Sequence, residues 1–264
     1  MTGNNKRLVL QPRDRRLLEE LATMRVVDRE QAKIVAGFGS TTRANTRLLA
    51  LSRAGLLRRC FLGTTAGGSK ALYILSAKGA QSVGVPFRGP HRRNNEALIA
   101  DFFIEHQLRI NGIYCALKFR PKPFPGVSFR RWRSFAEPVT PAISLIPDGY
   151  VELETPSGPL AAFLEVDLGN ESLTVWKEKT ANYLQLAVSG ECERQFGQRR
   201  FRVLVIAHSE RRMRSIRASI AGTTDKIFWF ASLESINQDG LFSSVWLRPK
   251  DEARQPFVKA DSNL

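Results

Sequence analysis

Cysteine and histidine are scarce in this sequence. Its 264 residues include three of each, and neither type has the CxxC or clustered spacing that a zinc site requires. The cysteines lie far apart and are odd in number, so we interpret Cys60, Cys115 and Cys192 as buried thiols of a reducing compartment. The histidines are also scattered, and the sequence assigns no chemistry to them.

Long hydrophobic runs are missing as well. No apolar run approaches the ~20 residues of a membrane span, and the opening MTGNNKRLVL lacks the long apolar region of a signal peptide. We therefore expect a cytoplasmic protein with no membrane partner. The 43% hydrophobic content is still sufficient for the core of one large domain or two small ones.

Acidic side chains are few in the first third of the chain. The whole sequence has 40 basic and 25 acidic residues, a net charge of +15, but residues 1–90 hold 16 basic and only 5 acidic ones. Such a segment suits a surface that lies on phosphates, because neutralised phosphates release condensed counterions. The charge predicts a nucleic-acid partner, although a ribosomal or anionic-membrane partner would give the same total.

The hydrophobic pattern of this basic third predicts three helices and a hairpin. A helix follows Pro12, a short one follows Asp28, and a third begins after Ser40. Two apolar runs, LLRRCFL and KALYILS, then flank the Gly-rich turn GTTAGGS. This order is typical of a winged helix-turn-helix, whose third helix enters the DNA major groove while arginines and the wing contact phosphates. The predicted contacts with double-stranded DNA are Thr41, Thr42, Arg43, Asn45, Thr46, Arg47, Arg53 and Lys70.

Two alternatives remain for that first domain: its third helix has an ordinary solvated face, or its winged helix serves protein contacts only. We place the domain at residues 1–84 and a linker at 85–93, where GVPFRGPHRR has no periodicity. Helix-turn-helix proteins often bind two half-sites as dimers, so a homodimer is also expected.

Residues 94–264 interleave strand-like and helical runs. The strand-like runs are GIYCALKF, AISLIPDGYVEL, LAAFLEVDL, RFRVLVIAH and KIFWFASL; the helical runs are NNEALIADFFIEHQL, SLTVWKEKTANYLQLAV and ERRMRSIRASIA. This alternation predicts an α/β fold with a mixed central sheet. The Pro-rich, basic segment at 119–141 predicts a loop or an extended arm over the sheet, in which Trp132 either stacks on a base or packs among its neighbouring arginines.

Three carboxylates lie at the ends of two of these runs. Asp148 follows ISLI, and Glu165 and Asp167 end AAFLEVD, where alternation points both to one face. A hairpin through ETPSGP would bring Asp148 beside them. Such oxygen ligands suit Mg²⁺ or Mn²⁺, which activates water and stabilises phosphoryl transfer. The alternative for Asp148 is the cap of a turn.

These carboxylates resemble the motif of the PD-(D/E)xK nuclease superfamily. More closely, PDGYVEL, FLEVDLGNESL, KEKTANYL and RVLVIAHSERRMRSI, in this order behind a winged helix, resemble the replication-relaxation family of bacterial and plasmid proteins. The resemblance covers most of the chain. It implies a restriction-endonuclease-like domain, a DNA-binding role in the replication, relaxation or transfer of a plasmid or mobile element, and replication or transfer proteins as partners.

The chain departs from the nuclease motif at one position. Such nucleases have lysine two residues after the glutamate, where it orients water and offsets phosphate charge, but this chain has Asp167. Lys177 and Lys179 on the next helix are candidates to replace that lysine, although a surface ion pair would also explain Lys179. Glu96 is a candidate fourth carboxylate.

Three hypotheses follow. The first is a non-enzymatic or weakly catalytic DNA-binding protein whose nuclease-like domain supports dimerisation, DNA clamping or partner recruitment. The second is an active endonuclease in which Asp148, Glu165 and Asp167 hold Mg²⁺ or Mn²⁺ and Lys177 or Lys179 replaces the missing lysine. The third is a transcriptional regulator whose second domain binds a ligand or a subunit.

Overall fold

The structure is a computed structural model that describes residues 8–63, 67–87 and 97–259. The chain divides into two compact units, Met1–Arg120 and Pro121–Leu264. No helix within the described ranges is both long and apolar enough to cross a membrane.

The first unit contains five helices and a three-stranded sheet among its described residues. Its elements are α1 (Pro12–Met24), β1 (Val26–Asp28), α2 (Arg29–Ala36), α3 (Thr41–Arg53), β2 (Leu57–Gly63), β3 (Ser69–Leu75), α4 (Ala77–Val83) and α5 (Ala97–Phe119). The sheet is antiparallel in the order β1-β3-β2. Apart from β1, which is too short to give a pattern, this is the element order on which the winged helix-turn-helix prediction rests.

Capping residues determine where the predicted helices begin. The Asp28 side chain accepts a hydrogen bond from the Gln31 backbone N–H (2.8 Å), and the Gln31 side-chain oxygen accepts one from the Asp28 backbone N–H. The Ser40 hydroxyl accepts from the Arg43 N–H in the same way at the start of α3. Gly37, at φ 68°, ends α2 in the left-handed conformation that favours glycine.

The run GIYCALKF, predicted as a strand, is the last third of helix α5, so that prediction is wrong. Polar side chains on one face of α5 form hydrogen bonds to α1 and β1, which favours a helix over a strand for this run. The Asn111 side chain donates to the carbonyls of Met24 and Val26 (2.9 and 2.6 Å), and the Tyr114 hydroxyl donates to Glu20 (2.6 Å). These bonds join α5 to the first unit, which runs to Arg120 and so extends past the domain expected at residues 1–84. Residues 88–93 of the predicted linker, and Glu96, lie outside the described residues.

The second unit is built on a five-stranded mixed sheet. Its elements are β4 (Ser128–Arg133), β5 (Gly149–Glu154), β6 (Leu160–Asp167), α6 (Leu173–Val188), α7 (Glu191–Phe196), β7 (Arg202–Ala207), α8 (Glu210–Ala221), β8 (Phe228–Ser232) and α9 (Leu233–Asp239). The order is β4-β5-β6-β7-β8, antiparallel from β4 to β6 and parallel from β6 to β8. The predicted α/β class and mixed sheet are confirmed.

Two local predictions in this unit are wrong. The run ISLI forms no strand; instead the Val139 N–H donates to the Leu145 carbonyl (2.8 Å) in a compact loop. The Pro-rich segment is not only an arm, because it contains β4, which pairs with β5 through a register shift between Phe129 and Arg131. Proline on either side of β4 suits an edge strand, which needs partners on one side only.

Helices α6 and α8 cover one face of the sheet. Trp176 and Tyr183 of α6 and Ile216 of α8 are fully buried against strand residues such as Phe163 and Phe228. Because β6, β7 and β8 are parallel, their carboxyl ends meet at one edge of the sheet. The candidate carboxylates lie at that edge.

Candidate functional site

Asp148 lies beside the end of β6, as the predicted hairpin requires. Its backbone N–H donates to the Leu164 carbonyl (3.1 Å), and its Oδ2 accepts from the Val166 N–H (2.6 Å). The residue directly precedes β5, whose Gly149 pairs with Leu164. Asp148 therefore lies just before the start of β5, beside the strand β6 that carries Glu165.

Glu165 is 1% exposed and is bound from helix α6 by two side chains. Its Oε2 accepts from the Lys179 ammonium (2.8 Å), and its Oε1 accepts from the Tyr183 hydroxyl (2.6 Å). Lys179 also donates to Glu171 (2.7 Å), whereas Lys177 is exposed. Of the two candidate lysines, Lys179 is thus the one that reaches the carboxylates.

Burial and charge act in opposite directions on this group. Burial raises the pKa of Glu165 to about 7; Lys179 lowers it and Asp148 adds to the increase. Burial alone would lower the pKa of Lys179, but Glu165 and Glu171 raise it. Lys179 is therefore charged at neutral pH, and the neighbouring Glu165 carboxyl group has a pKa close to neutral pH.

Asp167 faces the same side of β6 but has separate partners. Arg212 of α8 binds it in a fork, Nε to Oδ1 and Nη2 to Oδ2, both at 2.8 Å. The Trp176 indole N–H donates to Oδ2 (2.9 Å) and the Gly169 N–H to Oδ1 (2.8 Å). Burial would raise the pKa of Asp167, but the bonds from Arg212 and Trp176 lower it overall. Asp167 is a buried, ionised member of a structural ion pair.

One of the three carboxylates expected to hold a metal ion already has partners within the protein. Both oxygens of Asp167 are occupied by Arg212 and Trp176, so this carboxylate is not available as the third ligand. Across the described ranges, no three histidine, cysteine, aspartate or glutamate side chains are grouped so as to hold a metal ion. The assembly of Asp148, Glu165 and Asp167 around Mg²⁺ or Mn²⁺ stays a prediction.

Sequence reasoning missed Arg212 altogether. It lies 45 residues after Asp167 in a helix that contains several arginines, and nothing in the local pattern distinguishes it from its neighbours. The one available signal was Asp167 itself, because a buried acid requires a partner.

Helix α3 presents most of the predicted DNA contacts on its surface. Thr42, Arg43, Thr46 and Arg53 are exposed, while Thr41 and Asn45 are half-buried. The Thr41 hydroxyl accepts from the Lys33 ammonium (3.1 Å). Lys70 of β3 is 45% exposed and forms an ion pair with Asp28.

Arg47 differs from the other predicted contacts. Its Nε donates to Oδ1 of Asp14 (2.9 Å) and its Nη2 to Oδ2 (2.5 Å), and the Asp14 carboxylate is fully buried. Nη2 also donates to the Val9 carbonyl (2.6 Å). Arg47 therefore connects α3 to α1, and its assignment as a DNA contact stays a prediction.

A family model matches the part of the sequence that contains most of these residues. It is described as replication-relaxation, and it matches residues 16–199. The chain belongs to the replication-relaxation family. No curated protein and no solved structure matches the sequence.

The replication-relaxation match covers α3, Asp148, Glu165, Asp167 and Lys179, but it ends before Arg212. It therefore includes both the exposed helix of the first unit and the Glu165–Lys179 pair of the second. The relation to PD-(D/E)xK nucleases stays a prediction from the sequence motif.

Trp132 lies in β4 with its ring over Gly149, where an added Cβ would clash with the indole. Its indole N–H donates to the Ser134 hydroxyl (3.0 Å). This packing explains why glycine directly follows Asp148, while base stacking by Trp132 stays a prediction.

Proposed function

We propose that this member of the replication-relaxation family binds double-stranded DNA through its first unit, in the replication or relaxation of a plasmid or mobile element. The observation that carries the proposal is the exposed face of α3, on which Thr42, Arg43 and Thr46 occupy the first two turns. These side chains offer hydroxyl and guanidinium groups where a recognition helix meets base edges.

Basic side chains around α3 support DNA binding by this face of the helix. Arg53 is exposed at the end of α3, Arg58 and Arg59 are exposed on β2, and Lys70 is on β3. A cavity of about 640 Å³ lies between α3 and the β2–β3 hairpin. Cations beside a recognition helix suit the phosphates that border a major groove.

A DNA-binding titration with matched variants tests the proposal. The full chain is titrated onto double-stranded origin DNA of its own replicon and onto unrelated DNA of equal length, with fluorescence anisotropy as the readout. Arg43→Ala should weaken binding to the origin about tenfold or more. Arg16→Ala, which removes an exposed arginine from α1, should change it far less. Equal affinities for all three proteins would reject α3 as the recognition helix.

The second unit, in this proposal, supports binding and does not cut DNA. Asp167 is neutralised by Arg212, and Glu165 is bound by Lys179 and Tyr183. These contacts give the carboxylates internal partners, as a structural network requires. The nuclease-like motif would then be retained for the packing of α6 and α8 against the sheet.

An endonuclease is the second candidate, because Lys179 brings a cation from α6 to within 2.8 Å of Glu165. This ammonium could replace the lysine of the nuclease motif. Supercoiled plasmid incubated with the protein in Mg²⁺ or Mn²⁺ should then be nicked, and Lys179→Ala should abolish nicking while Lys177→Ala retains it. Intact plasmid with both metals, under conditions where DNA is bound, would exclude this candidate.

A further inference from the structure

A basic cavity lies at the other edge of the second unit's sheet, where β6, β7 and β8 begin. Its volume is about 570 Å³, within the range of small-ligand sites. Arginine is the only charged residue type in its lining, contributed by Arg199, Arg200, Arg202 and Arg248. Since β6 runs from this edge to Asp167, the cavity lies roughly 17 Å or more from the Glu165 group.

Arg202 is the unusual member of this set. Its Nη1 is buried and has no hydrogen-bond partner, which is costly because a buried guanidinium nitrogen normally finds an acceptor. Burial, together with the nearby Arg248, lowers the pKa of Arg202 to about 10. The cavity therefore contains a largely desolvated cation with one donor nitrogen that no protein group accepts from.

Trp229 holds two of the arginines in place. The guanidinium carbons of Arg202 and Arg248 lie 4.6 and 4.9 Å from its ring centroid. Arg248 is also fixed by the carbonyls of Phe228 (3.1 Å) and Asp225 (2.8 Å). Because Trp229 is only 4% exposed, it is not free to stack on a base, and its contribution is to orient the two guanidinium groups.

We propose that this cavity is an anion site that binds a phosphate group of a nucleotide or of a nucleic acid. Planar guanidinium forks match phosphate oxygens in pairs, and the unpartnered Nη1 leaves the Arg202 guanidinium with an unused donor. Arg200, which is exposed at the rim, contributes attraction at the entrance. The site is independent of DNA binding by α3, since all its residues belong to the second unit.

Calorimetric titration of the full chain with pyrophosphate at low salt is the first test. The wild-type protein should bind, and Arg202→Gln should weaken binding about tenfold or more, because a charge-assisted bond is lost. Arg194→Gln is the matched control, since Arg194 is exposed in the same unit and pairs with Glu191 outside the cavity; it should bind like the wild type. Arg200→Gln, a rim variant that leaves the Trp229 stack intact, should also weaken binding.

Two oligonucleotides then distinguish the source of the phosphate. A short single strand with a 5′-phosphate and the same strand with a 5′-hydroxyl are compared on wild type and Arg202→Gln. A preference for the 5′-phosphate that Arg202→Gln removes assigns the site to a DNA end. Pyrophosphate binding without that preference supports the site and assigns it to a small phosphate compound or a backbone phosphate. No pyrophosphate binding, or equal binding by wild type, Arg202→Gln and Arg200→Gln, overturns the proposal.

Discussion

Asp167 stands where the nuclease motif has lysine, and Arg212 and Trp176 occupy both oxygens of its carboxylate. The exposed fractions of the Asp167 and Arg212 side chains are 0% and 16%. Removing one member of such a pair leaves an uncompensated charge. The Asp167–Arg212 pair therefore fastens α8 to the end of β6.

Asp167→Ala should lower the free energy of unfolding of the second unit by about 3–5 kcal/mol. All four tryptophans lie in the second unit, so urea denaturation followed by tryptophan fluorescence reports that unit. Glu193→Ala is the control, because its partner Arg199 is 81% exposed and such pairs contribute about 1 kcal/mol or less. A cost no larger than that of the control would mean that the Asp167–Arg212 pair is not structural.

Glu165 should make the stability of the second unit depend on pH. Its pKa is about 7 in the folded chain against an ordinary value of 4.5, so between these values the folded state binds more protons than the unfolded state. Stability from this group is therefore greatest below about pH 4.5 and is lost as the pH rises to 7.

The Glu165→Gln variant measures that effect. The difference in unfolding free energy between wild type and Glu165→Gln should fall by about 1–3 kcal/mol from pH 5 to pH 7. Lys179 and Tyr183, whose pKa values are raised, titrate above this window and should not contribute. A difference that stays constant with pH would show that the Glu165 carboxyl group is ionised throughout.

At the scale of elements, two of the arginines of α3 have different surroundings. Arg43 is exposed, whereas Arg47 binds the buried Asp14 of α1. Arg47→Ala should therefore lower the melting temperature of the first unit by several degrees, because it leaves the buried Asp14 carboxylate without its charged partner. Arg43→Ala should leave the melting temperature unchanged and weaken DNA binding. Scanning calorimetry of both variants checks this, and equal melting temperatures would contradict it.

Helix starts and most strands could be predicted because their signals are local. Asp28, Ser40 and Ser172 each accept a backbone N–H at the start of a helix, and each precedes a recognisable pattern. The error at residues 112–119 arose because a short apolar run fits a strand and a buried helix equally. The deciding contacts of Asn111 and Tyr114 with α1 and β1 join residues more than 80 positions apart.

The candidate site was predictable in part for the same reason. Alternation along β6 correctly placed Glu165 and Asp167 on one face, and one helical turn correctly joined Lys179 to Tyr183. The pairing of Arg212 with Asp167 and of Arg47 with Asp14 depends on tertiary packing, so the residue types alone did not distinguish a free arginine from a paired one.

At the scale of the whole molecule, the positive charge is concentrated where DNA binding is proposed. Residues 1–90 carry 16 basic and 5 acidic residues, against 24 and 20 in residues 91–264. If the first unit lies on phosphates, each neutralised phosphate adds about 0.9 to the slope of log affinity against log salt.

Arg53→Ala should reduce that slope by about 1 and weaken binding to origin and unrelated DNA alike, because a phosphate contact carries no sequence information. Arg43→Ala, by contrast, should reduce the preference for the origin. Arg194→Ala, a charge-matched variant in the second unit, should leave the slope within error of the wild type. Anisotropy titrations between 50 and 200 mM salt measure all three. If Arg194→Ala lowered the slope as much as Arg53→Ala, binding would depend on total charge and not on the surface around α3.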